Sequence, residues 1–410
     1  MPECIESSQG GVSAQPMSST ILVVGAGLAG LAASIRLSQN SNFKIRVVER
    51  TPSPQTIGGA INVAPNGGRL LSRLGVYDKV RAAGCTVPRI DLFNDRGASL
   101  GSFPNCSADG FVGVRIMRSA LHAILLERSE QCGVKVEFGR GVERIEDADQ
   151  AGEVIIVYTD GARETADLVI GADGIHSRVR EYVVHPQKID PSYSGTSLVY
   201  GLTDAKRFPT KDMTALPATW GVFGQRAFFA GAFCVEDRSQ LYWISAQMKE
   251  VAEKLDDPET IRSQELNKFG QFFVPIPEII EHTTEFFSWP VFELPVLDHW
   301  SRGHAVLVGD AAHALSPNKG QGFSQALEDV FVLARLVEVG GKLSVYEKFR
   351  RPRVEKLRQT IKDENRDRPR SPWQAWLRDW AFWGFLKAVN LAPGWWMAGD
   401  FGYDPDAIEI

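Results

Sequence analysis

The sequence predicts an α/β fold: a Rossmann-like dinucleotide-binding domain, interrupted by an inserted β-sheet domain and followed by C-terminal helices. Three observations predict it. The apolar run Ile21-Leu22-Val23-Val24 leads into glycines and a small-residue helix over about Gly27 to Ser38, then into a second strand at Lys44 to Glu49, so residues 21–50 read as one βαβ unit. Between about 185 and 295 the texture changes to β-branched and aromatic runs, at Thr196–Leu202, Arg226–Val235 and Gln240–Gln247. A buried strand then returns at Ala305–Val308, followed by a glycine-rich loop and a helix over about Gly322 to Val339 that stops at Gly340-Gly341.

The remaining elements fill in this frame. Ser119–Gln131 reads as a helix, Lys135–Phe138 and Val154–Thr159 as strands, and Leu168-Val169-Ile170 as a short buried strand ending at Gly171. The expected organisation is a disordered tail over 1–20 and a dinucleotide-binding domain over 21–185, with an excursion toward the inserted domain at about 60–110. The sheet insertion follows over 186–295, the return of the first domain over 296–345, and a helical segment over 346–410.

Composition narrows the function. The 410 residues carry a formal net charge of -5 with no block of like charge, which removes the electrostatic footprint of a nucleic-acid binder and leaves a small-molecule partner. The five cysteines are scattered without ligand spacing, so neither a metal site nor a disulfide framework is expected. The first residues lack a signal-peptide pattern and no run is long enough to span a bilayer, so a cytoplasmic monomer or homodimer is expected.

Gly25-Ala26-Gly27-Leu28-Ala29-Gly30 opens the first helix. Gly25 permits a tight turn, Gly27 lets backbone approach a pyrophosphate, Gly30 allows close helix packing, and the helix N-terminus offers amides to phosphate charge. Glu49 ends the second strand, followed by Arg50, and its carboxylate is placed to accept ribose hydroxyls. A second segment, Asp167 to Arg178, contains Gly171-Ala172-Asp173-Gly174; Asp173 can anchor a hydroxyl or basic group, and Arg178 is a candidate for phosphate charge. The third, Gly309 to Gly322, contains Asp310, His313, Pro317, Gly320, Gln321 and Gly322.

These three segments, in this order, resemble the group A flavoprotein monooxygenases, the family of para-hydroxybenzoate and salicylate hydroxylases, over about residues 20–350. The resemblance implies one noncovalent FAD, NADPH or NADH as cosubstrate, and attack by a flavin 4a-hydroperoxide, formed from dioxygen, on the small-molecule substrate. It implies that Asp310 holds the ribityl chain, that Gly320, Gln321 and Gly322 bring helix amides to the pyrimidine edge, and that Pro317 closes over the face where oxygen reacts. It likewise places the loop containing Gly59 and Ala60 beside the isoalloxazine and Arg118 against the flavin. His313 reads as a packed structural histidine rather than a proton carrier.

The resemblance has gaps. Relatives of the salicylate hydroxylase kind carry Trp-Arg-Gly where this chain reads Val199-Tyr200-Gly201, which removes a carboxylate partner and leaves Tyr200 as a candidate for substrate contact. The general base is unknown, because His185, His282, His299 and His304 sit in no recognisable catalytic context. The aromatic residues of the insertion suit a bulky aromatic or apolar substrate, and the Phe401-Gly402-Tyr403-Asp404 ending is similar to fungal enzymes that tailor natural products, so the expected reaction is a hydroxylation or epoxidation in secondary metabolism. A flavin halogenase or reductase, or a non-catalytic protein on the same fold, is the alternative. Trp373, Trp376, Trp380 and Trp383 fall on one helical stripe, and the helix is expected to pack against the body or the substrate entrance, with a membrane-surface helix as the less favoured alternative because basic residues on the segment are few.

Overall fold

The computed structural model describes residues 19–55, 58–148, 152–208, 216–224, 227–317, 320–366, 371–399 and 401–409. Residues 1–18 of the expected 1–20 tail, Arg226 at the start of an expected strand, and Asn318-Lys319 of the third motif lie outside them. The first strand begins at Ser19 rather than Ile21, because the Ser19 amide bonds the Asn42 carbonyl at 3.1 Å and the Thr20 amide bonds the Asp167 carboxylate at 2.7 Å.

The main sheet has six strands in the order Ser301–Arg302, Ala305–Leu307, Leu168–Gly171, Ser19–Val24, Phe43–Glu49 and Val136–Phe138. All neighbouring pairs are parallel except the short edge pair at Ser301–Arg302. Parallel strands are covered on both faces and read as continuous apolar runs, which is why Val23, Val47, Ile170 and Leu307 have no solvent exposure. Each such side chain contributes roughly 1.5–3 kcal/mol by leaving water. The helices Leu28–Ser38 and Gly322–Glu338 pack together over this sheet.

The second large sheet has seven strands: Glu285–Glu293, Ser192–Asp204, Gln240–Met248, Phe228–Phe233, Thr219–Phe223, Arg89–Asn94 and Ser99–Pro104. Five come from the expected insertion. The last two come from residues 89–104, and Thr219–Phe223 pairs with Arg89–Asn94 in parallel. Strand alternation sorts the aromatic residues cleanly. Trp220, Phe229, Phe233 and Trp243 face a core closed by the helices Pro258–Phe269 and Ile276–Glu281, whereas Tyr200, Tyr242, Phe287 and Trp289 face the other way, toward Ala60 and Met117. Those last two belong to a small antiparallel sheet of Ala60–Val63, Gly113–Met117 and Cys85–Val87 that lies between the two large ones.

The C-terminal region wraps the outside. Helix Pro372–Leu391 seats Leu386 over Gly101 and Phe382 against Phe223, with ring centroids 5.2 Å apart, while Arg378 donates to the Gly224 carbonyl at 2.9 Å. The helix packs against the body as expected, but through its other face: Trp373, Trp376, Trp380 and Trp383 point away from the body and stay 46–65% exposed. The helix is apolar on two faces, and the sequence period alone does not say which one the body takes. Residues 401–404 fold back to the first domain, where Arg73 grips Asp404 through both guanidinium nitrogens at 2.6 and 2.7 Å. Arg69 donates to the carbonyls of Phe401 and Tyr403, and its hydrogen bonds hold the Asp109 carboxyl down at about 2.

Candidate active site

The three motifs meet at the carboxyl ends of the parallel strands, where ligands bind in open α/β sheets. The Gly25 amide bonds the Val48 carbonyl at 2.8 Å, and Gly25 sits at φ +102°, so close to the second motif that a Cβ would lie 2.6 Å from the Ala172 oxygen. At Gly30 a Cβ would come within 1.9 Å of the Gly25 oxygen. At Gly27 a Cβ would meet nothing within 4 Å, so the space above this residue is open. No side chain caps the helix here, which leaves the amides at Leu28, Ala29 and Gly30 available to an anion. Leu28 itself is buried, and Ala29 is half-buried against Gly309.

Glu49 is fixed from two sides. One oxygen accepts from the Ala26 amide at 2.9 Å and the other from the Thr51 amide at 2.9 Å, while Arg50 is exposed just beyond. His122 was not singled out from sequence, yet its buried ring bonds the Ala26 carbonyl at 2.8 Å and braces the turn. The available signal was its position one helical turn after Arg118, on the inward face.

In the second motif, Asp173 accepts from Ser177 Oγ at 2.5 Å and from the Arg178 amide at 2.7 Å, clamping the start of helix Arg178–Val183. Burial pushes its carboxyl up, partly offset by these bonds. The Arg178 guanidinium lies at the surface on Glu181, 2.8 Å away. Its neighbour Arg180 turns inward instead, donating to the carbonyls of Ile175 at 2.7 Å and Ala311 at 3.2 Å, and so joins the second motif to the third.

The third motif turns at Gly309, with φ 58° and ψ -137°, a conformation favouring glycine. Its amide bonds Asp329 at 2.9 Å, and Asp310 then opens the helix Asp310–His313 with an exposed carboxylate. His313 is locked, with its Nε2 2.6 Å from Asp329 and its ring 5.0 Å from that of Trp300. Behind it lies a buried ionic network that the sequence did not reveal. Arg350 bonds Asp329 at 2.8 Å and Glu328 at 2.6 Å, and Glu328 also accepts from Asn66 at 2.7 Å and from Arg353 at 2.6 Å. Burial alone would raise the Asp329 carboxyl, but His313 and Arg350 beside it more than offset it and hold it low.

The exposed Pro317 accepts from the Gly320 amide at 2.8 Å. Gly320, at φ +59°, lies against Asn62, and Gly322 opens helix Gly322–Glu338 onto free space. Gln321 is buried, its Oε1 3.5 Å from the Asn66 amide.

Between the small sheet and the seven-stranded sheet lies a buried apolar cluster of Tyr200, Leu202, Cys234 and Tyr242, with Phe287 and Trp289 packed against it. The Arg118 amide bonds the Gly59 carbonyl at 3.0 Å, and its side chain runs beside Gly58. Gly59 rests on Tyr242 and Tyr200 so closely that a Cβ would lie 2.4 Å from the first ring. Tyr200 accepts from Trp289 Nε1 at 3.1 Å and stacks on Phe287 at 5.0 Å. Burial raises the phenols of Tyr200 and Tyr242 and pushes the Cys234 thiol up to about 12, so all three stay protonated at neutral pH. Arg115 and Asn62 are cross-strand partners on the same face as Ala60 and Met117. Arg115 Nε and Asn62 Oδ1 are buried with no hydrogen-bond partner, and burial lowers the Arg115 pKa, with only partial relief from Cys234 and Tyr242. Neither residue stood out in the sequence. Among the histidines, His282 and His304 bond the backbone carbonyls of Glu278 and Asp167.

The open space over Gly27 and Gly322, the uncapped helix N-termini and the orphaned Asn62 oxygen fit a long dinucleotide running from the first motif to the third. Comparison with known proteins agrees with that geometry. Residues 18–360 match the family model described as an FAD binding domain. The 6-hydroxynicotinate 3-monooxygenase of Pseudomonas fluorescens is 30% identical, covering 94% of each chain, and the aurachin C monooxygenase/isomerase of Stigmatella aurantiaca is 28% identical, covering 88% of this chain and 92% of that one. The crystal structure of Klebsiella pneumoniae HpxO with FAD and uric acid superposes with a TM-score of 0.77 at 22% identity, over 90% of this chain and 94% of that one. The chain therefore belongs to the FAD-binding-domain family of flavoprotein hydroxylases and is an FAD-dependent monooxygenase of that family.

Proposed function

We propose that this enzyme hydroxylates or epoxidises a bulky, largely apolar aromatic molecule in secondary metabolism, with NADPH or NADH and dioxygen as cosubstrates. The observation that carries the reading is the wall of Tyr200, Tyr242, Phe287 and Trp289, which lies directly against the Gly58-Gly59 loop. FAD, when bound, supplies the redox chemistry, accepting hydride from the nicotinamide and activating dioxygen.

In this reading Gly25, Gly27, Leu28, Ala29, Gly30, Glu49 and Arg50 hold the adenosine and pyrophosphate end. Asp173 shapes the middle of the cleft, with Arg178 at its surface. Asp310 and Gly320 to Gly322 hold the flavin end, beside Gly59, Ala60 and Arg118. Pro317 bounds the reacting face. The aromatic wall excludes water, and the protonated Tyr200 hydroxyl is suited to donating a hydrogen bond and not to acting as a base. The unpartnered Arg115 Nε gives this apolar cluster one donor, which suits a substrate bearing a carboxylate, phenolate or carbonyl.

Turnover under isotopically labelled dioxygen, with a compound found by substrate-stimulated coenzyme oxidation, should place one labelled oxygen atom in the product. Label from water, or full turnover without oxygen, would leave a flavin dehydrogenase or reductase instead. For the same compound, Arg115→Met is expected to raise KM by about 10- to 100-fold with a smaller change in kcat, the pattern of lost ground-state binding. An unchanged KM would remove Arg115 from the substrate site.

A further inference from the structure

Helix Pro372–Leu391 has two unlike faces. The inner face anchors it along strand Ser99–Pro104 through Leu386, which is buried over Gly101, and through Asn390, whose amide bonds the Ser102 carbonyl at 2.7 Å. The outer face carries Trp373, Trp376, Leu377, Trp380, Trp383 and Leu391, all between 46% and 85% exposed. Meeting at tilted and edge-to-face angles, with centroids 6.0 Å apart from Trp376 to Trp380 and 5.8 Å from Trp380 to Trp383, these three indoles form a continuous ridge. Over the 18 residue steps from 373 to 391 that ridge runs about 27 Å.

We propose that this ridge docks the enzyme on the surface of a phospholipid bilayer. The choice of occupant rests on chemistry and charge. Indole pairs a large apolar ring with a polar N–H, and it is enriched where headgroups meet acyl chains. The four indole N–H groups of the ridge donate to no described residue, so they are free to bond headgroups or water. Charge on the helix is segregated in the same sense. Asp379, its one carboxylate, is turned inward and paired with Arg378 at 2.7 Å, and the exposed Lys387 stands on the ridge with its ammonium 5.7 Å from the Trp383 ring. In a chain of net charge -5, the outward face of this helix therefore offers a cation and no anion, which complements an anionic lipid surface. No helix among the described residues is long and apolar enough to cross a membrane, so the arrangement is that of a helix lying along the interface with its inner face held by the protein.

Co-sedimentation of the full-length holoenzyme with vesicles tests this directly. Binding to phosphatidylcholine vesicles is expected, and stronger binding when phosphatidylglycerol is included; bromine-labelled lipid should quench tryptophan fluorescence. Replacing Trp376, Trp380 and Trp383 together by Ser should cut the bound fraction by at least about tenfold while FAD content and unfolding temperature stay as in the parent. Lys387→Glu, which leaves the indoles in place, should weaken binding to the anionic vesicles alone. Absence of binding to both vesicle types overturns the proposal, as does binding that the triple variant retains. Self-association of the parent that the triple variant abolishes, without vesicle binding, would assign the ridge to a second copy of the chain and overturn it equally.

Discussion

Gly27→Val is expected to purify as a folded, colourless protein, and Gly30→Val is expected not to accumulate as folded protein at all. The two glycines are three residues apart in one motif, but their surroundings differ. At position 27 the backbone is at φ -70° and ψ 179°, open to any residue, and a Cβ meets no protein atom. The added side chain enters only the volume assigned to pyrophosphate, so folding is spared and FAD is excluded. At position 30 a Cβ would fall 1.9 Å from the Gly25 carbonyl oxygen, and the strand-to-helix turn must open, at a cost above about 4 kcal/mol. Visible flavin absorbance and thermal unfolding separate the two results. Stoichiometric FAD in the folded Gly27→Val protein would show that the first motif does not hold the pyrophosphate.

Arg350→Met should be the most destabilising single change outside the glycine turns. It leaves Glu328 and Asp329, both without solvent exposure, deprived of their shared counter-ion, and breaking such a network typically costs about 3–5 kcal/mol. For a chain of this size that corresponds to a fall of about 4–6 °C in unfolding temperature. The pH dependence has a definite sign. Asp329 is held below its ordinary value in the folded protein, so its contribution is complete well above the unfolded carboxyl value of about 3.9 and is lost as pH falls through the depressed folded value. The gap between parent and variant should therefore narrow in acid, as the buried carboxyls of the variant take up protons. Equal unfolding temperatures at neutral pH would show that the network contributes no net stability. Because Asp329 also holds the Gly309 amide, the variant is further expected to lose FAD more readily than the parent.

Most of the main sheet, and three of the seven strands of the second, were legible in the chain because their signals are local. Strand, turn and helix succeed one another within residues 21–38, and apolar runs mark Leu168–Gly171 and Ala305–Leu307. The convergence of the three glycine motifs was also legible, since each closes a parallel strand at the same sheet edge. What escaped depends on long-range pairing. Arg115 looks like any strand arginine until Asn62 and Tyr242 are placed beside it, and Arg350 and Glu328 read as ordinary helix charges until their two helices pack. The Asp-Gly turn drew attention to Arg178, yet the buried partner is Arg180, because the helix begun by Asp173 points every third or fourth side chain inward. The outward turn of the tryptophans was hidden for a related reason: Phe382, Leu386 and Val389 compose a second apolar face equally able to meet the body.

The parallel pairing of Thr219–Phe223 with Arg89–Asn94 has a consequence for recombination among relatives. An exchange of residues 192–293 alone would import five strands and leave behind the two that complete their sheet, so the hybrid would carry a mismatched seam between strands with no shared history. A graft meant to transfer specificity must move 85–117 together with 192–293, as two insertions into one host. A single crossover between 117 and 192 likewise parts the two strands from the other five and leaves the same mismatched seam.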